Sequence, residues 1–162
     1  MYESLMKNLE EDSLTEIKVY NSSLFLFHSI KSVIKRATSF SRGRMMLDII
    51  NSIKKMLKKY CDKCIEKIKK SNDFEAAVCW VINTGEHCKN IISGLEETVE
   101  TNLDEAFREQ VSFSDEEEAF SKYIWHYCSL ISKAIDQFIV HMDQRFEILF
   151  TQISKVAWER ME

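Results

Sequence analysis

The chain contains no proline and only three glycines in 162 residues, namely Gly43, Gly85 and Gly94. Average usage of ~5% Pro and ~7% Gly would give about eight prolines and about eleven glycines. Turns between strands depend on these two residue types, because proline presets a turn conformation and glycine reaches backbone angles that other residues avoid. A chain of this length with so few of them is predicted to be almost entirely helical.

The cysteine content and the N-terminus indicate the compartment. The chain has five cysteines, an odd number, and its N-terminus is acidic and lacks the apolar core of a signal peptide. We therefore expect reduced thiols and a cytosolic setting. No apolar run approaches the ~20 residues of a membrane-spanning helix, so the protein is expected to be soluble or attached to a membrane only at its periphery.

Apolar residues recur at steps of three and four over most of the chain, which is the spacing of one helix face. Residues 1–20 lack this pattern and are predicted to be an N-terminal extension or linker. Ser22 or Ser23 is predicted to cap the first helix, and Ser114 the last. The segment Ser-Asn-Asp at 71–73 is predicted to end the second helix and to cap the third. The predicted helices extend from about 22 to 38, from 44 to 70, from 74 to 107 with an interruption near 100–104, and from 116 to 160.

The last predicted helix dominates the expected shape. It keeps one apolar register over ~45 residues, or ~68 Å at 1.5 Å per residue, and the chain ends at WERME with the pattern still running. The expected fold is all-α, an elongated bundle or rod of about four to five helices ending in one long helix, with 21–162 as a piece of a longer multi-bundle subunit. The predicted core positions are Leu24, Phe27, Ile30, Val33 and Ile34; Met46, Ile50, Ile53, Leu57, Tyr60, Cys64 and Ile68; Val78, Ile82, Gly85, Cys88, Ile92, Leu95 and Val99; and Phe120, Ile124, Tyr127, Ile131, Ile135, Phe138, Met142, Phe146, Leu149, Ile153 and Val156.

The net charge of −4 conceals a segregation of charge along the chain. Residues 1–70 hold 15 Lys and Arg against 8 Asp and Glu, whereas residues 71–162 hold 7 against 18. Such asymmetry is typical of a basic surface that meets a partner, and it also allows the two halves to attract each other in an antiparallel bundle. The candidate surface for anionic lipid or a partner protein lies on the second helix and comprises Lys54, Lys55, Lys58, Lys59 and Lys63.

This lysine-rich face supports an alternative function, that of a lipid-binding or protein-interaction helical module. A solvated face is the more common role of such a charge run. Nucleic acid is not an expected partner, because few aromatic or arginine side chains interleave with the lysines and no base-reading motif is present.

The cysteines include a CxxC pair, Cys61 and Cys64, and an adjacent His87–Cys88 pair, which together suggest a zinc site. The CxxC lies within a predicted helix without a glycine-containing turn, and buried cysteines commonly act as small apolar side chains. A redox CxxC needs a strand before the helix, and helical neighbours such as His87 and Cys88 do not face each other. We therefore predict close helix packing at Gly85 and Cys88, no catalytic or metal-binding residues, no cofactor and no enzymatic activity.

Three segments resemble a known family. They are NSSLFLFHSIKSVIKRATSFSRGRMMLDIINSIKKMLKKYCDK at 21–63, VCWVINTGEHCKNIISGLEETV at 78–99 and AWERME at 157–162. In order and spacing they resemble the family of vacuolar-protein-sorting subunit fifty-three, from the Golgi-associated retrograde protein (GARP) tethering complex and its endosomal sister complex. Gly85 stands where this family tends to have alanine. The residues that carry the resemblance are Asn83, Thr84, Glu86, Cys88, Leu95, Glu96, Glu97 and Trp158.

The resemblance implies a function that the periodicity of the sequence does not. Tethering subunits of this kind are non-catalytic helical rods that capture endosome-derived vesicles at the trans-Golgi network. The implied partners are the other tethering subunits, SNAREs and small GTPases of the Rab or Arl type. The implied location is the cytosolic face of the trans-Golgi network and endosomes, with peripheral membrane contact.

Overall fold

The structure, a computed structural model, describes residues 13–108 and 120–155. These residues form no strand, only an isolated bridge between Leu14 and Tyr20. Within the same ranges the helices are α1 (Asn21–Thr38), α2 (Arg44–Lys70), α3 (Phe74–Asn102), α4 (Glu105–Arg108) and α5 (Phe120–Ser154). The predicted all-α fold, an elongated bundle that ends in a long helix, is confirmed.

The four long helices alternate in direction. Short connections at 39–43 and 71–73 make α1, α2 and α3 antiparallel neighbours. Helix α5 is antiparallel to α3, because Gly85 lies against Ile131 while Glu75, earlier in α3, pairs with Arg145, later in α5. Helix α5 therefore follows the same direction as α2 and completes an up-down-up-down bundle.

Helix α2 and the start of α3 agree with the sequence predictions. All seven predicted core positions of α2 are buried. Asp73 caps α3 by accepting a hydrogen bond from the Ala76 backbone N–H at 3.0 Å. The predicted interruption is confirmed as well, because α3 ends at Asn102 and α4 begins at Glu105. Short α4 folds back, and the Asp104 backbone N–H donates to the Arg42 carbonyl at 3.1 Å.

The predicted start and face of α1 are partly wrong. Ser22 and Ser23 lie inside the helix and are buried, and the N-cap position is held by Tyr20, which makes no side-chain cap. The two serine hydroxyls have other partners, Tyr60 Oη at 2.8 Å and the Tyr20 carbonyl at 2.7 Å respectively. The start of α1 is instead fixed from outside, because the Tyr20 backbone N–H donates to Thr84 Oγ1 of α3 at 3.1 Å.

The buried faces of α1 and α3 also differ from the prediction in detail. In α1 the core contains Leu26, whereas Leu24 is 41% exposed and Val33 is half-buried. In α3 the buried residue is Val81, and the predicted Ile82 lies at the edge of the core. Each error moves the apolar face by one or two residues, because the faces of α1 and α3 are wider than one line of side chains.

Residues 13–20 precede the first helix as a tight turn against the bundle. Val19 and Tyr20 are buried, and Lys67 Nζ of α2 lies 4.2 Å from the centre of the Tyr20 ring. The end of the predicted extension therefore contributes to the core. The domain boundary at residue 20 stays a prediction, and residues 1–12 lie outside the described residues.

Helix α5 is long, with 35 residues and a length of ~52 Å at 1.5 Å per residue. Its fully buried side chains are Phe120, Tyr127, Leu130 and Ala134, of which only the first two belong to the predicted stripe. The predicted cap at Ser114, the start at 116 and the end at 160 lie outside the described residues. None of the described helices is both long and apolar enough to cross a membrane.

Candidate functional site

The last part of α5 extends beyond the bundle. All residues from Asp143 to Lys155 are exposed, and we name this stretch the distal segment. Two residues of α5 make contact with the start of α3 near this point. Arg145 pairs with the Glu75 carboxylate, and the ring of His141, just before the distal segment, has its centre 4.5 Å from that of the Phe74 ring. Since Phe74 is the first residue of α3, the helices described within residues 13–108 offer the distal segment nothing to pack on beyond this point.

The distal segment carries large apolar side chains in a helical pattern. Phe146, Leu149, Phe150 and Ile153 are each about half to two-thirds exposed. Their spacing of i, i+3, i+4 and i+7 places them on one side of the helix, and we name them the distal apolar face. Single exposed apolar residues are common on protein surfaces, but a contiguous group marks an interaction site.

The charges of the distal segment suit an apolar contact better than an ionic one. Asp143 and Glu147 are balanced by Arg145 and Lys155, so no single sign dominates the segment. A helix that presents i, i+3, i+4 and i+7 apolar anchors is the form that binds into the groove between helices of a partner. The arrangement can therefore bind protein through apolar burial, without any chemical step.

The predicted packing residues lie at the contact between α3 and α5. Gly85 faces α5 so closely that a Cβ atom there would be 2.8 Å from Ile131 Cγ1. Cys88, one turn further along α3, is fully buried with Cys64. Tyr127 of α5 is fully buried beside them, and its hydroxyl donates to the Leu57 carbonyl at 3.1 Å.

The buried thiols are expected to be unreactive, because burial keeps them protonated. Burial raises the pKa of Cys61 to about 12 and raises that of Cys88 well above the ordinary value. The reactive and metal-binding form of cysteine is the thiolate, so these groups are protonated at neutral pH. Among residues 13–108 and 120–155, no three His, Cys, Asp or Glu side chains are placed to hold a metal ion.

The predicted lysine surface is divided by the fold. Lys55, Lys58 and Lys59 are exposed, and Lys63 is half-buried with its ammonium group 2.7 Å from Glu66. Lys54 is only 6% exposed, and its Nζ lies 5.6 Å from the centre of the Phe120 ring. Placing Lys54 on the exposed face was wrong, because it stands four residues after Ile50 and three before Leu57, where α5 covers the edge of the core stripe.

His87 gives the bundle an expected sensitivity to acid. Its Nε2 atom is buried and is the one buried side-chain nitrogen or oxygen in the described chain without a hydrogen-bond partner, and burial lowers the His87 pKa. Because the unfolded chain then binds a proton more readily, stability is full above pH ~6.5 and is lost as the pH falls through the folded pKa. We expect His87→Asn to lose less stability than the parent between pH 7.5 and 5.5, measured by urea unfolding at each pH.

A matched variant makes this test specific to the buried ring. His28 is an exposed histidine of α1, and His28→Asn should keep the pH dependence of the parent. An equal pH dependence in His87→Asn and the parent would contradict the assignment to His87.

Comparison with known proteins adds one finding. The chain matches no protein-family model and no solved structure. It is 23% identical over 185 residues to vacuolar protein sorting-associated protein 53 A of Arabidopsis thaliana. This chain is similar to a protein of vacuolar sorting. The relationship is distant, and it agrees at that level with the resemblance carried by segments 21–63 and 78–99.

The extent of the similarity is unequal for the two proteins. It covers all of this chain but 22% of the plant protein, so the chain spans about a fifth of the length of the curated relative it matches. The similarity therefore concerns one part of a protein of vacuolar sorting.

Proposed function

We propose that the chain is a non-catalytic scaffold segment of a multisubunit tethering complex that captures endosome-derived vesicles at the trans-Golgi network. The observation that carries the proposal is the distal segment of α5, which extends beyond the bundle with the distal apolar face exposed. The similarity to a vacuolar sorting protein gives this surface a context. In this proposal the four-helix bundle is the rigid support and the distal segment is the site of assembly.

The proposed partners follow from the same surface. A neighbouring subunit of the complex covers the distal apolar face with a pair of helices. The groove between two helices is a surface in which the apolar side of a third helix is readily buried. SNAREs and Rab- or Arl-type GTPases are proposed as partners of the assembled complex. The proposed location is the cytosolic face of the trans-Golgi network and endosomes, reached by peripheral attachment.

The test is affinity purification of the tagged full-length gene product from its own cells, with mass spectrometry of the co-purifying proteins. We expect the other subunits of the Golgi-associated retrograde complex in amounts comparable to the bait. A variant carrying Phe146→Ser, Leu149→Ser and Phe150→Ser should lose at least one of these subunits. The reason is that apolar anchors at the centre of an interface contribute most of its binding energy.

A control variant on the same segment separates the apolar face from helix damage. Asp143→Ser, Gln144→Ser and Glu147→Ser change three exposed polar residues of the distal segment and should retain every subunit. Circular dichroism should give the same bundle stability for both variants. Purifications that never contain a Golgi tethering subunit would count against the tethering role, and equal loss from both variants would count against the apolar face as its site.

A further inference from the structure

An apolar groove lies between α1 and α2, and no residue of the distal segment is among its described lining residues. It has a volume of about 390 Å³ and is lined by Val33 of α1 and by Ile49, Ser52, Ile53, Lys55, Met56 and Lys59 of α2. This volume lies within the ~300–1,000 Å³ of sites that bind small molecules. Val33 and Ile49 line the groove from the two helices and are both only half-buried, which indicates that the two helices do not close over this stretch.

The shape of the groove selects the kind of ligand. From Ile49 to Lys59 the groove follows ten residues of helix, or ~15 Å at 1.5 Å per residue. An apolar groove of about 390 Å³ along this length suits one extended hydrocarbon chain lying parallel to α2.

The rim of the groove selects the charge of the ligand. Lys55 and Lys59 are one helical turn apart, both exposed, and both line the groove. Among the described residues that line it, none is acidic. An anionic head group at this edge would meet two ammonium groups while its chain lies along Ile49, Ile53 and Met56.

We propose that the groove between α1 and α2 binds the acyl chain of an anionic single-chain lipid, with the acidic head group held by Lys55 and Lys59. This site is independent of the assembly surface on α5, and it differs from a general attraction of the lysine face to acidic membranes because it needs the apolar groove. It gives the chain a stoichiometric lipid site within its basic half, residues 1–70.

Titration calorimetry with dodecanoate, kept below its micelle concentration, tests the proposal on the 162-residue chain. We expect one dodecanoate bound per chain. Dodecyltrimethylammonium has the same chain length and a cationic head. It should bind at least ~10-fold more weakly than dodecanoate, because Lys55 and Lys59 attract the carboxylate of dodecanoate and repel a cationic head. Equal binding of the two amphiphiles would overturn the role of the lysines.

Three variants separate the groove from nonspecific charge. Ser52→Trp fills the groove from an exposed position and should abolish dodecanoate binding. Lys55→Glu with Lys59→Glu should weaken it at least ~10-fold, whereas Lys69→Glu with Lys70→Glu, the same charge change at the exposed end of α2, should change it by less than about twofold.

The folded state of each variant is checked by its thermal unfolding. Should the doubly reversed variant fail to fold, Lys55→Gln with Lys59→Gln provides the same comparison with a smaller perturbation. Unchanged binding in Ser52→Trp, or equal weakening by the two double reversals, would overturn the proposal. Since no tethering subunit takes part in these measurements, their outcome does not depend on the proposed scaffold role.

Discussion

Replacing Tyr127 with alanine should lower the free energy of unfolding by ~3–5 kcal/mol, the range for removing a large aromatic side chain from a core. Tyr127 is fully buried on α5 and joins α5 to α2 through its hydrogen bond to the Leu57 carbonyl. It also contacts Cys88 of α3. Removing the ring therefore opens a cavity where three helices meet. Urea unfolding followed by circular dichroism measures the loss.

Tyr127→Phe separates packing from hydrogen bonding at this position. Phenylalanine keeps the ring and removes only the hydroxyl, so we expect a loss of ~1 kcal/mol, typical of one hydrogen bond. A phenylalanine variant that loses as much as the alanine variant would mean that the hydrogen bond, and not the ring, holds the three helices together. That result would contradict the packing account.

The prediction succeeds from sequence where local and tertiary signals agree. In α2 the apolar stripe is narrow and its neighbours are charged, so period and burial point to the same residues. The cap at Asp73 is equally local, because an aspartate needs only the backbone N–H of Ala76 three residues later. The existence of α2 and α3, and the residues at which α2 ends and α3 begins, therefore follow from the sequence alone.

The prediction fails where a distant residue competes for a side chain. Ser22 fits an N-cap by local rules, but its hydroxyl is bound to Tyr60 of α2, and Thr84 of α3 fixes the backbone at Tyr20 instead. Lys54 follows the pattern of an exposed face until α5 covers it. Neither outcome is encoded within one helix turn of the residue concerned.

The candidate site shows a further limit of periodicity. Phe146, Leu149 and Ile153 continue the apolar register of α5, so the sequence placed them in the same core as Phe120 and Tyr127. The structure separates them, because α3 begins at Phe74 and offers nothing beyond it to cover α5. An apolar helix face has the same sequence pattern whether its partner is within the chain or on another subunit.

The groove beside Val33 could not be predicted from the sequence either, because a gap between two helices depends on the angle at which they cross.

Gly85 lies at a close contact between α3 and α5. Gly85→Leu should lower the free energy of unfolding more than most other single changes in α3. A glycine within a helix is less stable than alanine by ~1 kcal/mol, so a leucine at an open position would stabilise the helix. At Gly85, however, even a Cβ would come within 2.8 Å of Ile131 Cγ1 and 3.5 Å of Leu130 Cδ2. Ile131 is β-branched and has little rotamer freedom in a helix, so α5 must shift. We expect a loss of at least ~3 kcal/mol, the upper end of the usual range for overpacking.

Gly94 provides the matched control on the same helix. A Cβ there would meet nothing within 4 Å, so Gly94→Leu should raise the free energy of unfolding by ~0.5–1 kcal/mol through helix propensity alone. The same substitution thus has opposite signs nine residues apart, and urea unfolding of both variants with the parent measures the difference. If Gly85→Leu were also stabilising, α3 and α5 would not be in close contact at this point. In the structure this close contact at Gly85 holds α5 against α3, and α5 continues from it past the start of α3, where the distal apolar face is exposed. Another contact would then have to hold α5 in this position.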